Sequence, residues 1–209
     1  IHSYQYAGTE DGVPYVYGVD GAKNSMNDLA LHNRTLGLSI LNYSGTTVSP
    51  HTFGWTNKIS YKGFSLYAFF TGNFGGVFRA PTLGAVPAIG GNKLTLNRYI
   101  KDFYESDGSL RPTLPLAGET GFYRWDRYVP NLEYYVEDAS FIRLKEVSLE
   151  YDIPKALLQK LWIKNAKVFA QARDLGLIYT ANKYGYDPEW LPGKEKPSTT
   201  ITFGANLSF

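Results

Sequence analysis

Three histidines, His2, His32 and His51, are scattered along the chain without the spacing that a metal site needs, and they read as ordinary surface residues. A loop starting at Asp20 has Asn24 in place. It carries Ala22, Ser25 and Leu31 where an EF-hand needs Asp or Asn, Gly and Glu. Asp187 and Glu189 resemble a glycosidase carboxylate pair in composition alone. In an extended segment two such positions need not face one cavity, and turn chemistry around Pro188 is the simpler role. There is no Gly-x-Ser-x-Gly elbow, no His-Glu-x-x-His and no glycine-rich phosphate loop, and with no cysteine there is no thiolate nucleophile. No enzyme activity and no cofactor are expected. The residues best suited to hold a ligand are Tyr123, Trp125, Arg127, Tyr134 and Tyr135. Aromatic faces stack on sugars or on peptide side chains, and arginine adds a fork of hydrogen-bond donors. The same residues also suit the packing of a long loop, its interface with a partner, or a membrane girdle.

Composition narrows the setting in which such residues work. With 17 Tyr, 12 Phe and 4 Trp, the aromatic share of 16% exceeds the needs of a soluble core and places aromatics at surfaces. A net charge of +2, with acids and bases interspersed, builds no phosphate-tracking face, so nucleic acid is not an expected partner. No run approaches the roughly 18 apolar residues of a transmembrane helix; a membrane role would run through β-strands, whose hydropathy is masked by alternation.

The elements that would position these residues are strands. In 200–209, Ile201, Phe203, Ala205, Leu207 and Phe209 alternate strictly with Thr200, Thr202, Gly204, Asn206 and Ser208, over the length of a tilted membrane-spanning strand. Upstream, Phe53, Trp55, Ile59 and Tyr61 alternate with polar residues and Asn57 interrupts the apolar set. After Lys62-Gly63, a hairpin signal, Phe64, Leu66, Ala68, Phe70 and Phe74 alternate in turn, although Tyr67 and Phe69 make the polar set partly aromatic. Over 140–153, Val147, Leu149, Tyr151 and Ile153 share one face while Ile142 and Leu144 fall in the opposite phase, which a bulge near Lys145-Glu146 reconciles. Pro154 then opens a short helix, and a further run over 166–180 alternates Ala166, Val168, Ala170 and Ala172 with Lys167, Phe169, Gln171 and Arg173.

The connections alternate between short and long, so one end of the sheet carries tight turns and the other carries loops. Outer-membrane barrels have this asymmetry, with short turns in the periplasm and long loops outside. The resulting order is an extracellular loop (1–50), a strand hairpin (51–78), an extracellular loop (79–139), a strand, short periplasmic helix and strand (140–181), an extracellular loop (182–197) and a terminal strand (198–209). Tyr61, Phe64, Trp162 and Phe209 fall near the short-turn end, where a periplasmic girdle belongs. About five strands do not close a membrane barrel, so the fold expected is the incomplete C-terminal part of a large all-β transmembrane antiparallel barrel. The remaining strands would come from the same parent protein. A soluble β-sandwich that binds glycans shares the alternation and is the alternative.

Several segments together resemble the C-terminal third of the SusC/RagA-like TonB-dependent transporters: Tyr61-Lys-Gly-Phe-Ser-Leu66 with Phe70-Thr-Gly72, Glu137-Asp-Ala-Ser-Phe-Ile-Arg-Leu-Lys-Glu-Val147 running to Tyr151-Asp-Ile-Pro154, Tyr184-Gly-Tyr-Asp-Pro-Glu189, and Thr202-Phe-Gly-Ala-Asn-Leu-Ser-Phe209. The chain departs from the family at Arg173-Asp-Leu175, where Asn-Leu is usual. The resemblance implies an outer-membrane importer of oligosaccharides or oligopeptides, closed outside by a SusD-like surface lipoprotein and energised through TonB. The family's plug domain and TonB box lie upstream of the matching segments and are absent from this sequence. In such a barrel Phe203, Leu207 and Phe209 would form the C-terminal assembly signal, and the outward faces of the strands would meet outer-membrane lipid.

Overall fold

The computed structural model describes residues 1–10, 13–25, 39–80, 129–158, 162–191 and 194–209. Among them the strands run in order β1 (His2–Tyr4), β2 (Tyr6–Glu10), β3 (Val13–Tyr17), β4 (Lys23–Ser25), β5 (Leu41–Tyr43), β6 (His51–Tyr61), β7 (Phe64–Phe74), β8 (Val77–Arg79), β9 (Val136–Asp138), β10 (Phe141–Asp152), β11 (Asn165–Thr180) and β12 (Thr200–Ser208). One α-helical turn, α1 (Lys155–Leu158), lies between β10 and β11. The chain divides into two compact units.

The first unit holds most of residues 1–48 and 77–138. Segments expected as loops here carry short antiparallel pairings of their own: β1 with β5, β8 with β9, and β2-β3-β4 as a small sheet. Pairing gives a long connection partners for its backbone N–H and C=O groups, which it must find once it packs on itself. Val16, Leu132 and Ser3 are fully buried in this unit. The Arg79 guanidinium ties its segments together. It donates to the carbonyls of Pro130 (2.9 Å), Leu132 (3.3 Å) and His2 (3.1 Å) and to Ser3 Oγ (3.1 Å). Burial pushes the Arg79 pKa down, from a starting value high enough that the group stays charged at neutral pH.

The second unit is built on an antiparallel five-stranded sheet of order β12-β11-β10-β7-β6. Lys62 (φ 46°) and Gly63 (φ 87°) are both left-handed, the backbone of a two-residue hairpin turn whose twist matches that of the strands it joins. The register of β10 shifts between Leu144 and Glu146 against both β7 and β11, at the bulge that the phase change requires. Opposite it, Asp174 (φ 55°) and Gly176 (φ 110°) absorb the irregularity in β11. Pro154 precedes α1 and its carbonyl accepts from Leu157 N at 3.0 Å, opening the helix at its first turn.

Cross-strand register fixes which residues share a face. On one face the row Asn57, Ala68, Val147, Ala172, Ile201 crosses the whole sheet, and the row Ile59, Leu66, Leu149, Ala170, Phe203 runs beside it. On the other face lie Lys58, Tyr67, Ser148, Gln171 and Thr202. Three aromatic rings sit on glycines of a neighbouring strand: Phe53 on Gly72 and Phe169 on Gly204 directly across the ladder, and Phe69 on Gly54 diagonally, two positions from its own partner Thr56. A ring covering a strand glycine shields backbone that has no side chain of its own. This accounts for Phe69 and Phe169, aromatics on an otherwise polar face.

Candidate functional site

The apolar face is exposed. Trp55 (54%), Ile59, Leu66, Leu149, Val168, Ile201, Phe203 (78%) and Leu207 all present their side chains outward on the same side of the sheet. Soluble monomers rarely expose contiguous apolar patches larger than a few hundred Å². At the hairpin end of this face Tyr61, Phe64 and Tyr151 align in register, with the Phe64 and Tyr151 rings 4.4 Å apart. Trp162, in the connection at the same end, is 91% exposed. A groove of about 450 Å³ between Phe64, Tyr151 and Phe203 is floored by Val168 and Ala170, and it is almost wholly apolar.

The opposite face is polar and its charges are paired. Glu150 lies 3.1 Å from Lys167 and 3.7 Å from Lys58, and Lys167 also lies 3.8 Å from Asp152. Glu146 bridges Arg173 at 3.3 Å and accepts from Gln171 Nε2 at 2.5 Å. Ser60 and Ser65 share a hydrogen bond across the hairpin at 2.7 Å. Such a surface suits water, and it offers no nucleophile with an adjacent base. Among the described residues no group of His, Cys, Asp and Glu is arranged to hold a metal ion.

At the loop end of this polar face the segment that follows β11 folds back over the sheet. Asn182 is buried and its side chain closes the turn, donating to Tyr186 O (2.8 Å) and Thr180 Oγ1 (2.6 Å) and accepting from Tyr186 N (2.9 Å). Gly185 supplies the left-handed residue that the turn needs (φ 67°). Asp187 Oδ1 accepts from Glu189 N at 3.2 Å, the turn chemistry expected beside Pro188. It also meets Arg143 Nη2 at 2.6 Å, and Glu189 Oε2 meets the same nitrogen at 2.9 Å. Lys196 lies 3.7 Å from the other Asp187 oxygen. Side-chain exposure is 4% for Arg143 and 9% for Asp187, so this pair is buried, while Glu189 and Lys196 approach it from the exposed side. Phe141, with its ring 5.3 Å from the Arg143 guanidinium, is buried on the same face.

Arg143 lies within the matched Ser-Phe-Ile-Arg-Leu string, yet sequence reasoning assigned it no role. The signal was an arginine on the polar face of a strand, with two carboxylates around a proline in the next long connection. Tyr123, Trp125 and Arg127 lie outside the described residues, as does His32. Tyr134 and Tyr135 belong to the first unit. Their rings meet edge to face at 5.1 Å, Tyr6 packs on Tyr134 at 5.5 Å, and Tyr135 is buried with its carbonyl accepting from Ala80 N at 2.7 Å. Phe203, Leu207 and Phe209 are exposed at the chain end, Phe203 and Leu207 on the apolar face, and the Phe209 carbonyl accepts from Lys164 Nζ at 2.9 Å.

No known protein family matches the sequence, and no curated protein does. Solved structures do match in fold. The RagAB peptide importer in its "open-open" state superposes with a TM-score of 0.67 at 23% identity, covering 100% of this chain and 22% of that one. Its "closed-closed" state gives 0.65 at 24% identity over 100% and 23%, and a further structure of the RagAB peptide transporter gives 0.65 at 24% identity over 100% and 22%. The chain thus spans between 22% and 23% of the length of these structures.

Proposed function

We propose that this chain forms the closing strands of an outer-membrane β-barrel that imports oligopeptides or oligosaccharides, the apolar face of its sheet lying in lipid and the polar face lining the lumen. The observation that carries this is the exposed apolar face. A glycan-binding β-sandwich would bury Trp55, Ile59, Leu149 and Phe203 against a second sheet, and here they are open. A bilayer is the setting in which such a face is stable without a protein cover, and closure of the barrel by strands of the parent protein satisfies the open edges of β6 and β12.

Orientation follows from the connections. The Lys62-Gly63 turn and the 153–164 link take the periplasmic side, with Tyr61, Phe64, Tyr151 and Trp162 at the interface; the long connections take the outside. The polar wall transports and does not react, so substrate passes along it unchanged. A SusD-like lipoprotein over the long connections and TonB acting on a plug elsewhere in the parent protein complete the importer. Tyr123, Trp125, Arg127, Tyr134 and Tyr135 remain the candidate contacts for substrate or lipoprotein, and the peptide importers that share the fold favour a peptide substrate.

Cells carrying the full-length parent protein test this reading directly. The protein is expected in the outer-membrane fraction, with a gel mobility that changes on heating in detergent and with uptake of labelled oligopeptides that depends on the proton gradient. Recovery in the aqueous fraction would show that the apolar face is covered by protein and sink the proposal.

A further inference from the structure

The segment 182–190 reaches across the polar face of the sheet at the loop end. Arg143 pairs with Thr71 on β7 and Leu177 on β11, and through that register it points to the same side as Ser148 and Glu150. Asp187 and Glu189, from the connection after β11, both close on its guanidinium. Phe141 and Arg143 from the sheet and Asn182 and Tyr186 from the segment itself are all buried, on a face otherwise made of water-compatible residues.

We infer that 182–190 is a fixed strap on the lumen side of the wall, that Arg143 is its positioning residue, and that the strap limits the size of solute able to pass this part of the wall. The inference rests on the assignment of the polar face to the lumen. Volume taken up on the inner side of a barrel wall is removed from the passage. The strap is held and not free to swing, for two physical reasons. The four charges Arg143, Lys196, Asp187 and Glu189 balance, and releasing the segment would strand the buried Arg143 without a counter-ion. Asn182 also locks the turn by hydrogen bonds to both the N–H and the C=O of Tyr186, as a paired strand would. The strap therefore acts as a rigid lip, unlike a lid that opens with each cycle.

The test uses the full-length protein in intact cells with a single cysteine introduced on the inner face beside the pin, Thr71→Cys, and externally added maleimides of graded polymer size. In this parent, labelling is expected to fall off sharply as the reagent grows. R143M in the same background frees the strap, and the larger reagents should then label several-fold faster while the smallest changes little. D187N/E189Q acts from the strap alone and should give the same shift, which keeps the test decisive if R143M does not assemble. Unchanged size profiles in variants present at parental level in the outer membrane would overturn the inference. Failure of the barrel assignment shows up differently, as a parent protein that does not fractionate with the outer membrane.

Discussion

The two faces of the five-stranded sheet satisfy opposite demands with the same backbone. On one, Trp55, Ile59, Leu149 and Phe203 project outward with no ion pair between them, and Asn57 is the polar residue in the central row. On the other, Glu146 and Glu150 have an opposite charge within 4 Å on the neighbouring β11, in Arg173 and Lys167, and Lys58 reaches Glu150 from two strands away across β7. Strand propensity does not separate these faces, since both are built by alternating residues of the same strands in the same ladder. What separates them is the solvent each is suited to. A lipid-facing surface needs no polar partners and tolerates no unpaired charge, whereas a watery wall accepts charge at little energetic gain or loss.

The contrast breaks first at Arg143, the place where the polar face behaves like an interior. Replacing it with methionine leaves Asp187 buried without its strong partner, an effect of about 3–5 kcal/mol where a buried pair is broken. Limited proteolysis of the assembled protein should then cut within 182–190, which the parent resists. The next largest effect is expected from Val147→Arg, in the central apolar row. Arginine at the bilayer midplane costs about 2–4 kcal/mol, to be read as a lower midpoint in a guanidine unfolding titration of the barrel in detergent or lipid. Thr202→Arg, on the opposite face of β12, should stay within about 0.5 kcal/mol of the parent in the same titration. Equal losses at the two positions would mean that both faces are buried in protein. A smaller effect follows from Gly204→Val, whose side chain needs the space that the Phe169 ring occupies. Overpacking of this kind costs about 1–3 kcal/mol, and Phe169→Ala in the same chain should recover part of it.

Local signals made most of the sheet legible in the sequence. Strict alternation over 200–209 yields β12, a two-residue Lys62-Gly63 link yields the β6–β7 hairpin, and a phase change yields the bulge in β10, because each depends on neighbours within a few residues. The short strands β1 to β5 were not legible. Three to five residues are too few to show a period, and their pairings depend on contacts such as Leu41 to Tyr4 that no local pattern announces. The site was less legible than the fold for a similar reason. Asp187 and Glu189 could be read as turn residues from Pro188 alone, but the buried arginine they close on stands 44 residues earlier in the sequence. Tyr67 and Phe69 interrupt the polar set of their strand, and only the contacts between strands show the Phe69 ring lying on Gly54 and the Phe169 ring on Gly204. The aromatic set Tyr134 and Tyr135 followed composition, which says that aromatics must find a surface or a partner without saying which.

The smallest expected effect probes the paired charges that remain open to water. Glu150 stands between Lys58 and Lys167, all three partly exposed, so its attraction to either is weakened by solvent and offset by the entropy of holding two long lysines in place. Glu150→Gln should therefore shift stability by less than about 1 kcal/mol, and raising the salt concentration toward 1 M, where the Debye length falls to about 3 Å, should remove most of that difference. A loss that is larger, and insensitive to salt, would mean that the polar face at this level is sealed from water by another part of the parent protein. The ladder of ion pairs would then belong with Arg143 as a buried device, and the contrast between the two faces would reduce to the kind of partner each one meets.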